Sequence, residues 1–283
     1  MIPYAATGAL VALLIAPPHP VAETALRQES AALADAAHGF AAQQPHFQWQ
    51  GRIERGKTIE VRGVNGSIRA ERASGDAVEV TAVKRARRSD PESVTIEVVP
   101  HGDGVTICAV YPSRRASTPN ECQPGGGSSN VRNNDVVVEF RVRVPEGVRL
   151  VAASVNGEIE VRDLASEAVL STVNGSVDVS TTGLARASTV NGSIKAVLGR
   201  ADWTGDLEFN TVNGSITVEM PQGLGAELEA TTVNGHISSD FPLTVSGRLS
   251  PRRLQGTIGD GGRRLRLATV NGAIRLRRGA PGA

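Results

Sequence analysis

Two cysteines, five histidines and a cluster of arginines are the residues of this 283-residue chain whose chemistry can be argued from type and spacing. Cys108 and Cys122 flank the polar stretch A-V-Y-P-S-R-R-A-S-T-P-N-E. An even pair around a loop reads as a disulfide in an exported protein, closing about 15 residues and contributing about 3 kcal/mol through chain entropy. Free thiols are the alternative. A metal is not expected, because structural zinc sites draw on about four ligands. The histidines, at 19, 38, 46, 101 and 236, form neither H-x-H nor H-E-x-x-H, so they add no zinc signature. No nucleophile elbow, phosphate-binding loop or dinucleotide fingerprint is present, and Gly259-Asp260-Gly261-Gly262 reads as a turn. No cofactor is expected.

Carboxylates give no clearer signal. Asp202 and Asp206 flank W-T-G in a predicted turn, and the repeat-equivalent positions Glu160, Asp178, Lys195, Thr217 and Ser238 form no acidic row. A polysaccharide-active enzyme needs two converging carboxylates; it stays a minor alternative, and we expect no catalytic residue and no enzyme. The charge feature is C-terminal. Arg248, Arg252, Arg253, Arg263, Arg264, Arg266, Arg275, Arg277 and Arg278 share their stretch with a single acid, Asp260. They are candidates for binding an anionic polymer or lipid headgroup; they also suit a charged cap that stops strands pairing end to end. Aromatics make up only 3% of the chain, too few for the stacking platforms of a nucleic-acid binder, so no nucleic acid is expected.

These residues must be positioned by a repeat. T-V-N-G-S-I starts at Thr189 and Thr211, T-V-N-G-H-I at Thr232 and T-V-N-G-A-I at Thr269; looser copies start at Gly63, Ser154 and Thr172. The pairs Asn65-Gly66, Asn156-Gly157, Asn174-Gly175, Asn191-Gly192, Asn213-Gly214, Asn234-Gly235 and Asn271-Gly272 mark the units. From Asn156 onward their spacings are 18, 17, 22, 21 and 37. The last gap is read as hiding a degenerate copy, L-Q-G-T-I-G at Leu254 to Gly259, and the gap before Asn156 as holding further degenerate copies. A period near 20 fits one turn of a parallel β-solenoid. The alternative is a meander or barrel of V-N-G hairpins, since Asn-Gly is also the strongest hairpin signal. A hairpin does not demand Val before and Ile after each corner, whereas stacked coils do, because equivalent residues lie about 4.8 Å apart. Val155, Val173, Val190, Val212, Val233 and Val270 are therefore expected to point inward with the Ile or Val four residues later. The asparagines should form an amide ladder, the glycines should turn at positive φ, and Thr and Ser should face outward or line the corner.

Alternating apolar and polar residues from Thr58, Ala77, Ser93, Val105 and Val136 predict further strands. The organisation read from composition is a signal peptide at 1–22 and an Ala-rich spacer at 23–45. A solenoid domain follows at 46–278, with a disulfide-tied loop at 108–134, and then a tail at 279–283. The apolar run Ala5 to Ala16 is too short to span a bilayer and fits a signal-peptide core, which places the chain outside the cytoplasm with no transmembrane span after cleavage.

The serial T-V-N-G-S-I units, the closing L-x-G-x-I-G-D-G-G-x-x-L-x-L-x-T-V-N-G-x-I-x-L (Leu254 to Leu276) and the entry W-x-G-x-I-x-x-G (Trp49 to Gly56) resemble the bacterial DUF4097 family. The resemblance covers roughly residues 47 to 278. It implies a parallel β-solenoid of the cell envelope, an adhesin role that is itself only inferred for the family, and no catalytic residues to carry over. The functional expectation is a non-enzymatic envelope or surface module whose polar rows (Thr172, Ser176, Thr189, Ser193, Thr211, Ser215) meet a glycan, lipid headgroup or protein. The alternative is an envelope-stress sensor that binds an anionic polymer or peptide.

Overall fold

The structure is a computed structural model that describes residues 47–113, 119–126, 130–131, 133–200, 203, 205–245 and 250–279. The predicted signal peptide, the spacer, His46, Asp202, Arg248 and residues 280–283 lie outside the described residues. The described chain is all-β, with no α-helix, and its strands form two large, mostly parallel sheets rather than a closed barrel.

Sheet A contains β1 (Phe47–Arg52), β3 (Ile68–Arg72), β4 (Ala77–Arg85), β7 (Val137–Val144), β9 (Ile159–Leu164), β11 (Val177–Thr181), β13 (Ile194–Leu198), β15 (Ile216–Met220), β17 (Ile237–Ser239) and β21 (Ile274–Arg278). Sheet B contains β2 (Thr58–Arg62), β5 (Thr95–His101), β6 (Gly104–Val110), β8 (Arg149–Ala153), β10 (Ala168–Ser171), β12 (Ala185–Ser188), β14 (Asp206–Asn213), β16 (Ala226–Asn234), β18 (Leu243–Val245), β19 (Arg253–Ile258) and β20 (Arg264–Asn271). Every V-N-G unit joins a strand of sheet B to the next strand of sheet A. The hairpin alternative is thereby excluded: the two strands flanking Asn-Gly never pair with each other.

The chain thus winds back and forth between the sheets, and like residues stack. Ile68, Ile159, Val177, Ile194, Ile216 and Ile274 are in mutual register along sheet A, and all are at most 1% exposed. Phe140 and the half-buried Ile237 end the column. From sheet B, Leu150, Leu170, Leu207, Phe209, Leu265 and Leu267 fill the space between the sheets. With only 3% aromatics, this core is β-branched and aliphatic, which parallel strands buried on the inner face favour.

The stacking order departs from chain order at both ends. In sheet A the order is β1-β4-β7-β3-β9-β11-β13-β15-β21-β17; in sheet B it is β18-β19-β16-β20-β14-β12-β10-β8-β2-β6-β5. The coil made of β20 and β21, last in the described chain, is inserted between the β14–β15 and β16–β17 coils. The β2–β3 coil, first in the chain, lies between the β6–β7 and β8–β9 coils. Antiparallel strands cover three of the four sheet ends: β5 on β6, β4 on β7 with β1 beyond it, and β19 on β16; the short parallel β17 is the remaining edge of sheet A. Leu254 to Gly259 is accordingly no degenerate coil. Its residues lie in antiparallel β19 or in the turn after it, and the 37-residue spacing is an excursion that builds a cap before the chain returns. Such a cap removes the open parallel edge of sheet B on which another chain could template, and at the uncapped end of sheet A the edge strand is only three residues long.

Candidate functional site: the asparagine corner

The corner unit assigns each of its residues a separate task. The asparagine side chains form one continuous file. Asn156 Nδ2 donates to Asn65 Oδ1 at 2.9 Å, Asn174 to Asn156, Asn191 to Asn174 and Asn213 to Asn191 each at 2.8 Å, Asn271 to Asn213 at 2.7 Å, and Asn234 to Asn271 at 2.8 Å. Every amide points the same way, so the bonds polarise one another. Each amide has two N–H groups; six of the seven use one in the file, and Asn65, at its end, only accepts.

The threonine and valine before each asparagine sit opposite to the sequence expectation. Thr172, Thr189, Thr211, Thr232 and Thr269 are 3–5% exposed, whereas Val173, Val190, Val212, Val233 and Val270 are 39–51% exposed. The cause is a carbonyl. Thr172 Oγ1 donates to Gly157 O, Thr189 to Gly175 O, Thr211 to Gly192 O, Thr232 to Gly272 O and Thr269 to Gly214 O, all at 2.8–2.9 Å. Burying the hydroxyl satisfies a corner carbonyl that would otherwise be orphaned, and an unsatisfied buried acceptor costs about 1–3 kcal/mol. With threonine turned inward, period-two alternation puts valine in solvent. Only Val64, at the loop-covered end, is buried, and Val155 is intermediate.

Glycine is required by crowding more than by torsion. Only Gly66 and Gly272 of the seven adopt positive φ, at 127° and 157°. A Cβ on Gly192 would lie 2.0 Å from Gly175 O, one on Gly214 2.0 Å from Gly192 O, and one on Gly157 1.8 Å from Gly66 O. The glycines form a backbone stack with no room for a side chain. Ser176, Ser193 and Ser215 follow, each hydroxyl accepting from the N–H of the next coil's equivalent residue at 3.2–3.3 Å. The surface left to solvent is a continuous ridge of valine methyls beside asparagine amides.

The disulfide-tied loop terminates this ridge. It joins β6 to β7 and so replaces the corner of the outermost coil, and Val138 N–H donates to Asn65 O at 2.8 Å. Cys108 and Cys122 are bonded. Beside them Glu60, 4% exposed, accepts from Gly125 N–H and Thr106 Oγ1 at 2.9 Å and from Arg62 at 2.8 Å. Burial alone would raise its pKa; these three donors outweigh it and hold the carboxyl below its ordinary range. Burial pushes the Tyr111 phenol up to about 12, and its hydroxyl donates to Val136 O at 2.8 Å. Asp135 accepts from the backbone N–H groups of Ser89, Arg88 and Arg87, which draw its pKa down to about 2. Between loop and sheet B lies a cleft of about 240 Å³ lined by Arg62, Asn120, Glu121, Ser154 and Ser171. Glu60 escaped sequence reasoning because nothing in a strand pattern marks which acid a distant loop will cover, and Asp135, which stays exposed, because its partners are backbone N–H groups 46 to 48 residues away.

A family model described as Toastrack DUF4097 matches residues 57–277. The chain belongs to the DUF4097 family. No curated protein matches it. Among solved structures, the chain is similar to a "putative cell adhesion protein" from Clostridium sporogenes, at 12% identity and TM-score 0.45, covering 83% of this chain and 100% of that one. A "putative adhesin" from Bacteroides fragilis is 10% identical with TM-score 0.35, covering 81% and 96%. One from Parabacteroides distasonis is 11% identical with TM-score 0.23, with the same coverage of 81% and 96%.

In this DUF4097 chain the C-terminal arginines are divided between surfaces. On sheet B, Arg264 meets Asp206 at 3.4 Å, and Arg253 and Arg266 share Glu229 at 3.9 and 3.3 Å. Arg263 lies over the Trp203 ring and donates to the Trp203 carbonyl. Arg278 lies over Phe241 and donates to Asp240 O. Arg275 and Arg277 stand on β21 in sheet A, and Arg252 is exposed in the turn before β19. Among the described residues no group of three or more His, Cys, Asp or Glu could hold a metal ion, and no helix is long and apolar enough to cross a membrane.

Proposed function

We propose that this chain is a non-enzymatic binding module of the cell envelope or surface, adhesin-like, whose contact surface is the valine–asparagine ridge. The carrying observation is the ridge itself: a hydrogen-bonded file of seven asparagines beside five exposed valines on a backbone that leaves no slack. The unit of repetition is a coil of roughly 20 residues, so weak contacts recur at strand spacing and add along one line. Apolar methyls flanked by amide donors and acceptors suit an extended partner, such as a glycan chain or a protein strand, better than a small molecule. The apolar run Ala5 to Ala16 and the Cys108–Cys122 disulfide support an extracytoplasmic setting. A sensor acting through the C-terminal arginines is less favoured, since Glu229 and Asp206 already engage three of them.

The test is a panel of immobilised glycans and lipids probed with the full chain and with a Val190→Lys/Val212→Lys variant. Both valines are exposed, so the variant should fold. We expect the wild type to retain one class in high salt and the variant to lose it. Absence of any salt-resistant binding, or binding indifferent to the two lysines, would overturn the assignment of the ridge.

A further inference from the structure

The outer face of sheet A carries a depression of about 480 Å³ away from the ridge, lined by Arg69, Arg141, Arg143 and Arg162 with Glu71, Glu79 and Glu160. Strand register determines how these charges meet. One row across the sheet runs Glu79, Arg143, Glu71, Arg162, alternating in sign, and Arg143 contacts both flanking glutamates at 2.8 and 3.3 Å. The neighbouring row runs Thr81, Arg141, Arg69, Glu160. Here Glu160 is shared by Arg69 and Arg162, while Arg141 has threonine on one side and arginine on the other. It has no carboxylate partner among the described residues. Like charges directly opposite on paired strands are unfavourable unless something neutralises them.

We propose that Arg141 and Arg69 form an anion site that takes the carboxylate of an acidic sugar in a polysaccharide. Two guanidinium forks on adjacent strands match the planar, bidentate geometry of a carboxylate. Four arginines against three glutamates leave one positive charge, which one singly charged group neutralises. A dianionic phosphate would leave the depression negative. The glutamate oxygens around the site offer acceptors for the hydroxyls of a sugar ring, which a bare phosphate or sulfate group lacks. The volume falls within the usual range for small-ligand sites, about 300–1,000 Å³.

The test is titration of the full chain with polygalacturonate, κ-carrageenan (a sulfate ester without carboxylate) and neutral dextran. Arg141 is exposed and has no side-chain hydrogen bond or ion pair among the described residues, so Arg141→Gln should fold as wild type. We expect polygalacturonate to bind, Arg141→Gln to weaken it at least tenfold, Arg277→Gln at the far end of the same sheet to leave it unchanged, and dextran not to bind. No binding to polygalacturonate, or equal binding by Arg141→Gln, would overturn the site. An equal loss in Arg277→Gln would replace it with bulk charge attraction. κ-Carrageenan binding as well as polygalacturonate would overturn the choice of carboxylate. The ridge variant separates the two proposals: it leaves this face intact, and Arg141→Gln leaves the ridge intact.

Discussion

At the scale of single residues, the corner reverses the hydropathy ranking of its first two positions. Threonine is the buried residue and valine the exposed one, because a hydroxyl can satisfy the preceding coil's glycine carbonyl and a methyl cannot. Thr189→Val keeps the shape but strands the carbonyl of Gly175; we expect a loss of about 1–3 kcal/mol in urea unfolding. Val190→Thr, one residue on and 39% exposed, should stay within about 0.5 kcal/mol of wild type. Equal effects would refute the assignment. Gly192→Ala tests the stack separately, since its Cβ would sit 2.0 Å from a backbone oxygen that no rotamer change can move. The expected cost is at least the 1–3 kcal/mol or so of overpacking, with no help from φ, because Gly192 is not in the left-handed region. Sequence pattern identified the repeat, the asparagine file and the buried Ile column, all of which depend on recurrence. It misassigned Thr and Val because the partner of the threonine hydroxyl is a backbone carbonyl, and backbone carbonyls look alike in every sequence.

At the scale of elements, the β6–β7 loop is held by a covalent bond and by two acids, Glu60 beneath it and the exposed Asp135 at its end, whose roles appear only in the folded chain. The disulfide was legible from two cysteines around a polar stretch; Glu60 was not, since T-I-E-V-R reads as an ordinary half-exposed strand. Removing the crosslink with Cys108→Ser/Cys122→Ser should cost about 3 kcal/mol, read as a lower urea midpoint that added reductant no longer changes. The acids add a pH dependence of definite sign. Glu60 and Asp135 both titrate below their ordinary values of 4.5 and 3.8, Asp135 at about 2. The folded chain therefore binds fewer protons than the unfolded one in this range. Their stabilisation is present above the ordinary values and is lost as pH falls from about 4.5 toward 2. Urea midpoints measured from pH 7 to 2.5 should fall in that window, and less steeply in Glu60→Gln. A decline as steep in the variant as in wild type would remove Glu60 from the account.

At the scale of the whole molecule, the ends of the stack are not made by the first and last coils: β1, β4 and β5 lie beyond the β2–β3 coil, and β16 to β19 beyond the β20–β21 coil. Repeat spacing could not convey this, because a gap of 37 residues is compatible with a missing copy or with an excursion; pairing direction decides, and direction leaves no trace in composition. The consequence is a stability order opposite to chain order. In a stack laid down coil after coil, Ile274 would occupy the terminal, frayed position and Ile237 a more protected one. Here Ile274 is fully buried between Ile216 and Ile237, and Ile237 sits half-buried on the three-residue edge strand. Ile274→Ala should cost about 2–5 kcal/mol, the range for a well-packed core position, and Ile237→Ala distinctly less. Ending the chain at Arg263 removes β20 and β21, which leaves β14 and β16 without their shared neighbour and breaks the asparagine file between Asn213 and Asn234. A simple solenoid loses a terminal coil with only a nearest-neighbour penalty. This one should lose cooperative unfolding of its C-terminal half, seen as a second, early transition in urea or as failure to accumulate soluble protein. A truncated chain that unfolds in one transition at a midpoint near wild type would mean that the inserted coil adds little to what the cap already holds.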